Sequence, residues 1–118
     1  MIFPSPALTY GAVVLATLPN HVEMWTEDNK VRPMVITVAD DAYRMAVPLS
    51  TLPQQDSLEL KPNVSNNLNR ASSVVHEHRV IFSKEQELLK VGQLTPAEQV
   101  KLRKILASNG IRGFHRAR

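Results

Sequence analysis

The chain has 118 residues, with fourteen Lys and Arg against eleven Asp and Glu, and no cysteine. This length suits one domain, residues 1–118, with a single hydrophobic core. The absence of cysteine from the sequence excludes disulfides, thiolate metal sites and a cysteine nucleophile. The net charge of +3 permits attraction to phosphates without demonstrating it, and part of it lies in a basic tail, residues 111–118.

Neither a leader nor a membrane span is visible in the sequence. The first residues, Met1-Ile2-Phe3-Pro4, carry no basic region, and the longest apolar run, residues 12–18, is far below the ~20 residues that a spanning helix needs. The sequence therefore predicts a cytoplasmic protein.

Short apolar runs rich in β-branched residues dominate the first two-thirds of the chain and predict strands. The first run, residues 11–18, stops at Pro19 and is followed by a polar loop that contains Trp25. Further strands are expected at residues 34–38, 43–47, 57–60 and 72–82, the second and third joined as a hairpin by Asp40-Asp41.

A helix is expected over residues 96–108. Thr95 suits the N-cap, Pro96 the first helical position, and Glu98 closes a capping box, while Asn109-Gly110 supplies the stop. Strands followed by one helix indicate an α+β domain with a curved, barrel-like antiparallel sheet, whose core spans about residues 10–107.

One pair of side chains suits phosphate chemistry. Arg32 precedes Pro33 at the start of the second strand, and the hairpin places Ser50 near Val31, beside that arginine. Alternatively, Arg32 is a surface arginine paired with Glu27 or Asp28, and Ser50 only caps a turn.

Other candidates are less constrained. His76 and His78 lie two residues apart, but no third or fourth ligand points to a metal site. His78 and Arg79 suit proton donation or phosphate contact. Trp25 suits base stacking, or equally the anchoring of its loop or a dimer contact.

The order of these motifs resembles the MazF/PemK family of toxin endoribonucleases. The resemblance covers about residues 10–107 and is carried by Gly-Ala-Val-Val-Leu-Ala-Thr-Leu-Pro, Lys-Val-Arg-Pro-Met-Val-Ile, Val-Pro-Leu-Ser-Thr, the Asn-rich segment, Ser-Ser-Val-Val and Val-Gly-Gln-Leu-Thr-Pro-Ala-Glu. It implies a small SH3-like antiparallel β-barrel with a C-terminal α-helix, shared with the gyrase-poisoning CcdB toxins.

The resemblance also implies an activity. A homodimer restrained by a cognate antitoxin protein would cleave single-stranded RNA without a metal or other cofactor, leaving a 2′,3′-cyclic phosphate and a 5′-hydroxyl. Arg32 would act on the scissile phosphate and Ser50 would orient it, with Thr51 as its substitute. Lys30, Trp25 and Arg79 are the expected RNA contacts.

The chain departs from the family in one respect that bears on catalysis. The stretch around Ser72 and Ser73 has no acidic residue, so the general base is not assigned, and His76, Glu77 and His78 are the alternatives. Two other functions therefore stay open: a non-catalytic toxin that acts by protein binding, and an RNA-binding module that has lost catalysis.

Overall fold

The computed structural model describes residues 8–17, 31–40, 42–83, 86 and 88–116. Within these residues the elements are β1 (Ala12–Thr17), β2 (Val31–Ala39), β3 (Tyr43–Ser50), β4 (Glu59–Leu60), β5 (Ser72–Val74), β6 (His78–Ser83), β7 (Leu89–Gln93), α1 (Pro96–Ser108) and β8 (Gly113–Arg116).

The strands form one curled sheet in the order β4-β5-β3-β2-β1-β7, with β6 paired to β3 and β8. Every pairing is antiparallel except that of β8 with β6. β3 is the central strand, because it pairs with β2 along one edge and with both β6 and β5 along the other.

The Asn-rich segment closes the curled sheet. After β4 the chain returns to the outer edge of β7, where the Gln93 amide donates to the Ser65 carbonyl at 2.9 Å. The Asn67 side-chain amide donates to the Val91 carbonyl at 3.0 Å. These bonds satisfy edge groups of β7 that would otherwise lack partners, so the sheet becomes a half-barrel joined across its ends by a loop.

Alternation along the strands produces two apolar clusters, one on each face of the sheet. Cluster 1 contains Ala12, Val14, Ala16, Met34, Ile36, Ala46, Val80 and Phe82. Cluster 2 contains Val13, Val35, Val47, Leu49, Leu60, Val74, Leu94 and Leu102. Leu102 lies on α1 and is fully buried, so the helix covers the cluster 2 face.

The predicted fold class is confirmed: the domain is α+β, with a curled, mainly antiparallel sheet and a helix near the C-terminus. The helix occupies the predicted residues and has the complete capping box, with the Thr95 hydroxyl accepting from Glu98 N and the Glu98 carboxylate accepting from Thr95 N. The β2–β3 hairpin and the short fourth strand are also present.

The single strand predicted at residues 72–82 is wrong, because the chain turns between β5 and β6. Both strands pair with β3, β5 near its C-terminal end and β6 near its start. The Arg79 guanidinium donates to the carbonyls of His76 and His78, at 2.6 and 3.0 Å, and so satisfies acceptors that the turn releases. The sequence analysis also missed β7 and β8.

Candidate active site at the Arg32 end of the sheet

Arg32 lies near the start of β2, on the same face as cluster 1. It pairs with Ala16 of β1, and two-residue alternation places its side chain in line with Met34 and Ile36. The side chain is half-buried. Arg32 therefore continues the line of cluster 1 side chains toward the start of β2.

Ser50 is the last residue of β3 and lies level with Arg32. The β2–β3 ladder ends at the pair Met34–Pro48, and two further steps in the same register bring Arg32 opposite Ser50. The sequence predicted that Ser50 lies near Val31, which is one residue from the Arg32 position given by this register. The register of the hairpin therefore sets Arg32 and Ser50 level with each other on neighbouring strands.

The same cross-strand line continues through two residues that the sequence analysis missed. Ser50 pairs with Ser73 of β5, and Ser73 pairs with Glu59 of β4. Neighbours in each ladder share a face, so Arg32, Ser50, Ser73 and Glu59 form one row, which we call the Arg–Ser row. No local signal could have revealed it, because β4 has only two residues and its partner follows a long loop.

The row combines a cation, two hydroxyls and a carboxylate. The Ser50 hydroxyl accepts a hydrogen bond from the Leu52 backbone amide at 3.1 Å, which leaves its own proton available to another acceptor. Ser73 is buried, Glu59 is exposed, and Thr51 is exposed just beyond the strand. A guanidinium next to hydroxyl donors is well suited to hold a phosphodiester, since arginine binds phosphate oxygens in pairs.

The alternative acid–base residues lie elsewhere, at the turn between β5 and β6. His76 is 8% exposed, and its Nδ1 has no hydrogen-bond partner among the described residues. Glu77 pairs with Arg112 at 3.5 Å, and His78 Nδ1 lies 2.9 Å from Nε2 of His115. The turn is level with the middle of β3, whereas Ser50 is at its end.

Of the expected RNA contacts, Arg79 is described by the structure and is buried. It is 4% exposed, and burial lowers the pKa of its guanidinium, an effect that the nearby Tyr10 opposes. Arg79 donates hydrogen bonds to two backbone carbonyls, which indicates that it stabilises the β5–β6 turn. Trp25 and Lys30 lie outside the described residues.

The described residues also lack two features that would indicate other functions. No three side chains of His, Asp or Glu are grouped so that they could hold a metal ion. Within the same residues, no helix has the length and apolar character needed to cross a membrane.

The fold defines a class: small α+β domains in which a curled antiparallel sheet carries one helix near the C-terminus. Among solved structures, the chain is similar to the crystal structure of MazF (Form-I) from Deinococcus radiodurans, with a TM-score of 0.57. The match covers 84% of this chain and 92% of that chain at 15% sequence identity. The fold is therefore MazF-like.

The sequence comparisons gave no match. No protein-family model matches the chain, and no curated protein matches its sequence. The likeness is therefore one of fold alone, and a shared fold does not by itself imply a shared function.

Proposed function

We propose that this protein is a MazF/PemK-type toxin, a sequence-selective endoribonuclease that cleaves single-stranded RNA. The observation that carries the proposal is the register that sets Arg32 level with Ser50 on one face of a MazF-like sheet. These are the two residues that the family resemblance selects, and the register of the hairpin sets them level on neighbouring strands.

The chemistry follows from the two side chains. Arg32 binds the scissile phosphate and stabilises the charge that accumulates on its oxygens in the transition state. The Ser50 hydroxyl donates to a phosphate oxygen and orients the group for attack. The RNA 2′-oxygen bonds to phosphorus, the bond to the 5′-oxygen breaks, and the products carry a 2′,3′-cyclic phosphate and a 5′-hydroxyl.

The partners in this proposal are RNA, a second copy of the chain and an antitoxin. RNA is favoured by the net charge of +3 and by an arginine that lies level with a serine hydroxyl on one face of the sheet. The proposed assembly is a homodimer in the cytoplasm, restrained by a cognate antitoxin protein that covers the RNA surface. Lys30 and Trp25 are the proposed additional RNA contacts.

The proposal is tested with wild-type protein and Arg32→Ala on a long single-stranded RNA in EDTA, with the new 5′ ends mapped. We expect discrete cuts by the wild type and a loss of at least ~100-fold in rate for the variant, because transition-state charge loses its stabilising cation. Arg112→Ala is the matched control, since it removes an exposed arginine that pairs with Glu77, away from the row.

Wild-type protein that leaves several unrelated RNAs intact would contradict the proposal. Binding of RNA without cleavage would then favour the RNA-binding module, and growth inhibition that survives Arg32→Ala would favour a toxin that acts by protein binding.

A further inference from the structure

The proposed reaction needs a group that accepts the proton of the 2′-hydroxyl. Arg32 cannot do so, because a guanidinium remains protonated in proteins and has no acceptor. The Ser50 hydroxyl is a weak base that already accepts from the Leu52 amide. A further side chain must therefore supply this function, and the inference below rests on the proposed function.

The residues at the β5–β6 turn are poorly placed for it. Glu77 pairs with Arg112, and the rings of His78 and His115 contact each other through their nitrogens. His76 is buried. Each is either sequestered or engaged with a neighbour, and none belongs to the Arg–Ser row.

Glu59 is the carboxylate of the row. It pairs with Ser73, which pairs with Ser50, and all three share the face that carries Arg32. Glu59 is exposed, and among the described residues no hydrogen bond or ion pair engages the Glu59 carboxylate. Three strand spacings of about 4.8 Å separate Glu59 from Arg32, on the order of 14 Å between Cα atoms.

That spacing suits two long side chains that approach one substrate from opposite ends. Arg32 and Glu59 stand on either side of the Ser50–Ser73 pair, on the same face, so two long side chains can approach a phosphodiester above that pair. Ser73, 8% exposed, forms the floor between them. General base catalysis requires the carboxylate to come within hydrogen-bond reach of the 2′-hydroxyl, which suits a long and exposed side chain such as Glu59.

We propose that Glu59 is the general base of the ribonuclease. Its carboxylate takes the proton from the RNA 2′-hydroxyl as the 2′-oxygen bonds to phosphorus. The phosphorus–5′-oxygen bond breaks, the 5′-oxygen takes a proton from solvent, and Glu59 returns its proton to solvent. No other reactant is consumed, and the products are those of the proposed reaction.

The test compares Glu59→Gln with wild type in single-turnover cleavage of an RNA that contains one mapped site. We expect the cleavage rate to fall ~100-fold or more, because the amide cannot accept the proton. Binding of the same oligonucleotide with a 2′-deoxy sugar at the cut site should be as tight as for wild type. Asp56→Asn is the matched control: it removes an exposed carboxylate three residues earlier, at a φ of 54° that asparagine adopts readily, and should leave the rate unchanged.

The outcomes separate the two proposals. Cleavage by Glu59→Gln at the wild-type rate would overturn the assignment of Glu59 and leave the ribonuclease intact. A slower rate explained wholly by weaker binding of the 2′-deoxy oligonucleotide would also overturn it. Absence of cleavage by the wild type would overturn the ribonuclease and the role of Glu59 with it.

Discussion

Asn66 organises the loop that closes the half-barrel, although it belongs to no helix or strand. It has no exposed surface, and its side-chain amide donates to the Lys61 carbonyl and to the Glu98 carboxylate, each at 2.9 Å. Its side-chain oxygen accepts from the amides of Asn63 and Leu68. A buried polar side chain is stabilising only when it is satisfied in this way, so Asn66 specifies how the loop lies.

At residue scale we expect Gly92→Ala to destabilise the protein by about 1–3 kcal/mol. A Cβ on Gly92 would lie 2.3 Å from the Asn66 carbonyl oxygen and 2.9 Å from that of Ser65, and backbone atoms cannot move aside cheaply. Urea denaturation measures the difference. Gly110→Ala is the control, since nothing lies within 4 Å of its Cβ position, and it should be neutral or slightly stabilising. Equal stability of both variants with wild type would contradict this account of the loop.

At element scale, the N-terminus of α1 joins the helix to the same loop. Burial alone would raise the pKa of the Glu98 carboxyl, but hydrogen bonds from Thr95 and Asn66 outweigh it and hold this pKa below the usual 4.5. A carboxyl with a lowered pKa in the folded state stabilises the fold above its unfolded pKa. That contribution is lost as the pH falls through the lower, folded value.

We therefore expect the free energy of unfolding of the wild type to fall as the pH drops below about 4.5, and Glu98→Gln to reduce that dependence. Glutamine keeps the capping-box acceptor but has no charge to lose. Thr95→Ala should instead cost about 1 kcal/mol at neutral pH, because the Glu98 amide loses its acceptor. Urea denaturation between pH 3 and 7 measures both effects. An unchanged pH dependence in Glu98→Gln would show that this carboxylate does not couple folding to protonation.

At the scale of the whole molecule, pairings between distant segments hold the sheet together. β1 pairs with β7, so the first described strand is completed only when the chain has reached residue 93. Cluster 2 likewise needs Leu94 and Leu102, which follow the last of the central strands. β8, by contrast, adds only an outer pairing to β6.

Two truncations test this hierarchy. A chain that ends at residue 88 lacks β7 and α1, and we expect it to show no cooperative thermal unfolding. The reason is that β1 loses its pairing with β7 and cluster 2 loses the helix that covers it. A chain that ends at residue 110 should unfold cooperatively with a lowered Tm, since only β8 and the tail are removed. Circular dichroism during heating measures both. Cooperative unfolding of the shorter chain would show that the first six strands form a core on their own.

The sequence by itself determined the features that local chemistry encodes. The capping box around Thr95 specified α1, since the N-cap hydroxyl and the Glu98 carboxylate act within one turn. Alternating apolar residues and the Asp40 turn specified the β2–β3 hairpin, where the Asp40 carboxylate accepts from the amides of Ala42 and Tyr43. The prediction that Ser50 lies near Arg32 followed from that hairpin alone.

Only the tertiary structure decided the rest. The apolar run at residues 72–82 does not show that the chain turns between β5 and β6. The turn depends on the pairing of both strands with β3 and on the Arg79 guanidinium, which donates to the His76 carbonyl. The Arg–Ser row extends to Ser73 and Glu59 only because a two-residue strand pairs across a long loop. Pairing between segments so far apart in the sequence depends on the closure of the whole sheet. Glu59 can therefore be recognised as a candidate base from the fold but not from the local sequence pattern.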